Sequence, residues 1–190
     1  MINYSIQSVY RTPKFNGYGK ECAYRRFSFL KGLSFGSVLD VGSGACLLKN
    51  WLAENGFAVD YEAVDIRPDA LALCGCVTHQ TIPANRAYDL VCLFGTVTYN
   101  IDHDEAANKA TLLHLLKQSK TVCRSLLLFT VFKETVREKY KNSVPADYFV
   151  YFSMNEIDAM MVTLGISKYT IIENPQLDDQ EYFVLAHLAA

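Results

Sequence analysis

Apolar positions along this chain fall into two alternating rhythms. Short continuous apolar runs occupy Ser37–Val41, 58–65, 88–94 and 125–132, with a weaker one at 76–78. Between them lie longer stretches in which apolar residues recur every three or four positions, the spacing of one helix face. Residues 45–54 place Leu47, Leu48, Trp51 and Leu52 on such a face and end at Asn55-Gly56, a helix stop. Residues 66–73 give a short turn and helix with Pro68 near its start. Residues 104–120 carry a stripe of Ala107, Ala110, Leu112, Leu113 and Leu116, and 155–164 form a helix stopped by Gly165. The run at 125–132 is too apolar to face water on either side and reads as a central strand. Strand and helix in alternation predict a parallel sheet covered by helices. Two last strands, 169–173 and 181–187, are joined by a turn-like segment and predict an antiparallel hairpin that closes the sheet.

Length and composition narrow this picture. At 190 residues, with 51% hydrophobic and 20% charged residues, the chain suits one domain spanning 1–190. Within it, 1–34 form a lid-like N-terminal segment and 133–153 an aromatic-rich insertion. The formal net charge of -2 lacks the basic bias of a dedicated nucleic-acid binder. No apolar leader opens the chain and no run is long enough to span a membrane, so a soluble, cytoplasmic protein is expected. Six cysteines, Cys22, Cys46, Cys74, Cys76, Cys92 and Cys123, mostly sit within apolar runs and are expected as reduced thiols. Cys74-Gly75-Cys76 is the one local pair, and with no second pair or histidine cluster beside it no metal is expected.

The chemistry concentrates after the first strand, in Asp40-Val41-Gly42-Ser43-Gly44. Glycine is costly in regular structure, so two at a strand end imply a tight turn or a close approach. A strand, Gly-x-Gly and a helix are expected to offer backbone N–H groups above the strand's carboxyl end. The dinucleotide fingerprint needs a third glycine where this chain has Leu47, and no phosphate-binding Gly-Lys-Ser/Thr follows. Asp65, 21 residues past Gly44 at the end of the next strand, is placed to accept from ribose hydroxyls. Asp40 adds a carboxylate that would repel a pyrophosphate and suit a cation.

The segments Val38-Leu-Asp-Val-Gly-Ser-Gly44, Ala63-Val-Asp-Ile66, Thr81-Ile-Pro83 and 88–95, in that order, resemble the class I S-adenosylmethionine-dependent methyltransferases from about Ser37 to the C-terminus. The resemblance implies a Rossmann-like α/β fold: seven strands, mostly parallel, helices on both faces, and a C-terminal antiparallel hairpin. It implies S-adenosylmethionine as cofactor, with Gly42, Ser43 and Gly44 under its methionine portion and Asp40 near its amino group. Asp65 would hold the ribose and Ile66 the adenine. Where the family often has an acid after the third strand, this chain has Thr78 and His79. Phe94 and Gly95 complete the expected cofactor contacts. The Asn-Pro-Pro-Tyr of the family's amino-methylating branch is replaced by Phe94-Gly-Thr-Val97, which argues against that branch.

Ligands of open α/β sheets bind beyond the strands' carboxyl ends, which puts the segment after the fourth strand beside the methyl acceptor. Thr96, Tyr99, Asn100 and His103 are the polar candidates, with His103 and Tyr99 as the candidate catalytic residues and His103 able to take a proton. With no partner visible in the sequence, the favoured reading of His103 is a surface residue at the start of a helix, next to Asp102 and Asp104. Tyr18 and Tyr148, from the two aromatic-rich segments, are candidate roof residues over a small-molecule acceptor. The competing functions are a nicotinamide-dependent oxidoreductase, a non-catalytic cofactor-binding module, and RNA methylation.

Overall fold

The computed structural model describes residues 20–100, 103–142, 148–174 and 178–188. In chain order it has α1 (Lys20–Phe27), β1 (Ser37–Val41), α2 (Leu47–Glu54), β2 (Asp60–Val64), α3 (Pro68–Leu71), β3 (Val77–His79) and β4 (Tyr88–Leu93). There follow α4 (Glu105–Thr121), β5 (Cys123–Lys133), α5 (Arg137–Tyr140), β6 (Tyr151–Phe152), α6 (Met154–Thr163), β7 (Tyr169–Asn174) and β8 (Asp178–His187).

The strands form one sheet in the order β3-β2-β1-β4-β5-β8-β7. Strands β1 to β5 pair in parallel, whereas β8 runs antiparallel to both β5 and β7, so the expected closing hairpin is present. Every residue of β1 is buried, as a central parallel strand requires. Alternation along the strands divides the core into two layers. Leu39, Val91, Leu127 and Phe129 pack with Leu112 and Leu116 of α4 and Ile157 and Met161 of α6. Val38, Leu90, Cys92 and Leu128 pack with Phe27 of α1, Leu48, Trp51 and Leu52 of α2, and Leu71 of α3.

The sheet has eight strands where seven were expected. The additional one, β6, pairs with Phe132 and Lys133 of β5. Strand β5 is eleven residues long and its pairing with β4 ends at Phe129, so the bare edge beyond finds its partners in Tyr151 and Phe152.

Helix α4 is rotated from the expected stripe. Ala107 and Ala110 are exposed, and the buried residues are Asn108, Leu112, Leu116 and Ser119. The cause is polar: Asn108 Nδ2 donates to Asn100 Oδ1 at 3.0 Å, tying the helix to the segment after β4. Asp104 caps the helix by accepting from the Ala107 N–H, and a capping box between Ser153 and Glu156 starts α6.

The expectation of reduced thiols throughout is corrected at one pair. Cys46 and Cys74 form a disulfide, 28 residues apart in sequence and 5.2 Å between Cα atoms. Closing a loop of that length stabilises a fold by about 3 to 4 kcal/mol on the chain-entropy account. Cys22, Cys76, Cys92 and Cys123 are free thiols.

Candidate active site

The chain moves outward from β1 to β3 on one side and returns to β4 on the other, so the strand order reverses between β1 and β4. A crevice opens at the carboxyl ends of such a pair. The glycine loop turns there, with Gly42 at φ 76° and Gly44 at φ 51°. Gly42 is fixed by space as well as by backbone, because a β-carbon on it would lie 2.5 Å from Cγ2 of Thr96. Thr96 cannot easily yield, since its hydroxyl donates to the Val41 carbonyl at 2.7 Å.

The loop's N–H groups are committed within the protein, contrary to the expectation that they stand open. Those of Gly42 and Ser43 both donate to the Val64 carbonyl, at 2.8 and 3.1 Å. That of Gly44 donates to Asp65 Oδ2 at 2.8 Å, and Asp65 Oδ1 accepts from the Arg67 N–H at 2.9 Å. Cys46, the residue before α2, is itself left-handed at φ 57° and donates its N–H to the Ser43 carbonyl. The region therefore presents carboxylate oxygens in place of an anion-binding nest.

Asp40 lies beneath the loop, 4% exposed, and accepts a 2.6 Å hydrogen bond from the Tyr61 hydroxyl. Burial pushes its carboxyl up to about 7, the Tyr61 hydroxyl pulls it back, and the charge of Asp65 adds to the rise. Ser43 Oγ is buried and has no hydrogen-bond partner among the described residues. Ile66, next to Asp65 just beyond the end of β2, is an apolar side chain that is 82% exposed.

Beyond β4, Gly95 (φ 63°) donates its N–H to Thr130 Oγ1 at 2.9 Å, and Phe94 packs on Phe27 with ring centroids 5.2 Å apart. Thr98 and Asn100 then bond the backbones of Val150 and Tyr148, at 2.9 and 3.0 Å. This two-way pinning brings Tyr99 against Tyr148 at 5.5 Å and Phe149 at 5.6 Å. His103 follows, exposed, with φ 55° and its N–H on the Asn100 carbonyl.

The structure thus brings Asp40, Gly42, Ser43, Gly44, Asp65 and Thr96 together, and separately joins Tyr99 to Tyr148. Thr78 is half-buried on β3, and the ring of His79 faces Glu62, with Nε2 2.6 Å from Oε2. Glu62 also accepts from Tyr88 at 2.6 Å and from Arg86, and these three partners outweigh burial to hold its carboxyl below the usual range. Tyr18 lies outside the described residues.

Two site residues escaped the sequence reading. Thr130 was visible as a lone hydroxyl in an apolar run, whereas Tyr61 depends on strand register, which no local signal gives. A cleft of about 600 Å³ lies elsewhere, lined by Glu105, Lys109, Glu134, Arg137, Ser153 and Glu156. None of its lining residues belongs to the glycine loop. Lys109 and Arg137 are each paired there with acids, so the crevice at β1 and β4 carries the stronger claim.

No protein-family model matches this chain, and no curated protein does. Solved structures do. The plantazolicin methyltransferase BpumL, in complex with a triazolic desmethylPZN analog and SAH, matches 99% of the chain and 92% of its own, with TM-score 0.67 and 10% identity. A SAM-dependent methyltransferase from Archaeoglobus fulgidus matches 90% of the chain and 95% of its own, with TM-score 0.63 and 14% identity. A candidate O-methyltransferase from Nostoc punctiforme PCC 73102 matches 89% of the chain at TM-score 0.66 and 17% identity, and the chain spans 56% of its length. The chain has the fold of the class I SAM-dependent methyltransferases.

Proposed function

We propose that this protein binds S-adenosylmethionine at the carboxyl ends of β1, β2 and β4 and transfers its methyl group to an oxygen or nitrogen of a small molecule. The observation that carries the cofactor reading is the commitment of the Gly42, Ser43 and Gly44 N–H groups inside the loop, with Asp65 and Asp40 beside them. A pyrophosphate needs open N–H donors and suffers from nearby carboxylates. A cofactor with an ammonium, a sulfonium and ribose hydroxyls meets acceptors, which disfavours the nicotinamide reading. The SAH bound by BpumL lends further support.

The residues present fit that ligand. An ionised carboxylate offers about four lone-pair positions. Asp65 uses two of its own on Gly44 and Arg67, leaving capacity for the two hydroxyls of a ribose. Ile66 gives an apolar surface to a planar base, and the buried Ser43 hydroxyl gains a partner in the methionine portion. A partner there would offset a desolvation cost of about 1 to 3 kcal/mol.

The sulfonium supplies a methyl carbon open to in-line displacement. The chain's contribution is then to aim the acceptor and exclude water, which can supply much of the rate without a base. Thr96 fixes the floor by locking on Val41 and Gly42, and Tyr99, Tyr148 and Phe149 form an aromatic wall suited to a planar acceptor. His103 and Tyr99 are the groups able to receive the acceptor's proton.

A panel of phenols, carboxylic acids and amines incubated with S-adenosylmethionine is expected to yield S-adenosylhomocysteine with at least one of them. His103→Gln should keep the rate within about tenfold of the parent, because positioned bases commonly contribute a hundredfold or more. A hundredfold fall would replace the positioning account with general-base catalysis. Cofactor binding with no turnover across the panel would favour a non-catalytic module.

A further inference from the structure

We propose that Cys46, Cys74 and Cys76 form a redox-gated site for a thiophilic metal ion of the zinc class, open when the Cys46–Cys74 disulfide is reduced. The three sulfurs lie within 4.8 Å of one another. Cys46 stands at the start of α2, while Cys74 and Cys76 flank a turn after α3 at which Gly75 has φ 54°. That turn is held independently of the disulfide, because Lys49 Nζ donates to the carbonyls of Cys74 and Gly75 at 2.8 and 2.6 Å. Opening the disulfide therefore leaves the third sulfur in place.

The dimensions suit a tetrahedral ion. Metal–sulfur bonds of about 2.3 Å put sulfurs about 3.8 Å apart, a separation reached from the present one by small side-chain rotations. Thiolates select soft and borderline ions such as zinc over calcium or magnesium. Cys46 and Cys74 are buried and Cys76 is partly exposed, so the cluster is shielded on one side and reachable on the other. Three thiolates on a divalent ion carry one net negative charge, which the nearby Lys49 ammonium offsets. Water completes the fourth position.

The chemistry balances in two steps. A trialkylphosphine gives two electrons to the Cys46–Cys74 bond, which breaks to two thiols as water supplies their protons and the oxygen of the phosphine oxide. The ion then displaces one proton from each of the three thiols. Disulfide and metal are thus alternative staples between the glycine loop and the turn after α3.

Cadmium is the probe, because each thiolate bound to it adds to an ultraviolet charge-transfer band. Phosphine-reduced protein is expected to bind one Cd²⁺ per chain with a three-thiolate band, and untreated protein to show none. Cys76→Ser, which leaves the disulfide pair intact, should lose a third of the band and at least tenfold in affinity, while Cys22→Ser should match the parent. The proposal is overturned if untreated protein binds equally, if Cys76→Ser is unchanged, or if reduced protein gives no band. Circular dichroism follows folding throughout, and reduced protein that unfolds and is not restored by Cd²⁺ also overturns it. These readouts are independent of the methyl donor.

Discussion

Asp40 shows how one residue can set the character of a loop. It is buried with a tyrosine hydroxyl as partner, and its carboxyl is raised to about 7 against about 3.9 in an unfolded chain. Below about pH 4 both states hold the proton and Asp40 adds no pH dependence. Between about pH 4 and 7 the unfolded state alone gives the proton up, so stability falls as pH rises, and above 7 the loss is complete. Asp40→Asn keeps an acceptor for Tyr61 and removes the titration. Urea midpoints of the two proteins should therefore diverge in favour of the variant as pH rises through this window. A pH-independent difference would contradict the assignment. Gly42, Gly44 and Asp65 were legible in the sequence because their signal is local, a strand end followed by a tight turn and an acid one strand on. Tyr61 was not, since a one-residue change of register would turn it to the other face. Nor was the destination of the loop's N–H groups, which is settled by the Val64 carbonyl on a neighbouring strand.

Among the elements, α1 and β8 are joined by the ion pair of Arg26 and Glu181, 2.9 Å apart and 2% and 0% exposed. Arg26 falls within the 1–34 segment expected to be lid-like, yet its side chain is buried against the sheet. Removing one partner of a buried pair costs about 3 to 5 kcal/mol, because the other charge stays desolvated. Glu181→Ala should lower unfolding stability by that amount in urea, and a loss under 1 kcal/mol, the ~0–1 kcal/mol scale of surface pairs, would refute the buried-pair account. Helix α4 teaches a related lesson. Its length and position were legible from periodicity, but its rotation was not, because Asn108 turns inward to reach Asn100 across eight residues. The Cys46–Cys74 disulfide was hidden for a similar reason, as its partners meet only once α2 and α3 have both packed on the sheet.

At the scale of the whole molecule, alternating strand and helix patterns made the α/β class, the parallel sheet and the closing hairpin readable. The eighth strand was not, because it exists only where β5 outruns β4. What the sheet order adds is a location: the reversal between β1 and β4 gathers the glycine loop, Asp65 and Thr96 at the carboxyl ends of the strands. The most direct test of the central claim is calorimetric titration of the protein with S-adenosylhomocysteine and, separately, with NADH. The account predicts saturable binding of S-adenosylhomocysteine and none of NADH. Saturable binding of NADH without S-adenosylhomocysteine would contradict it.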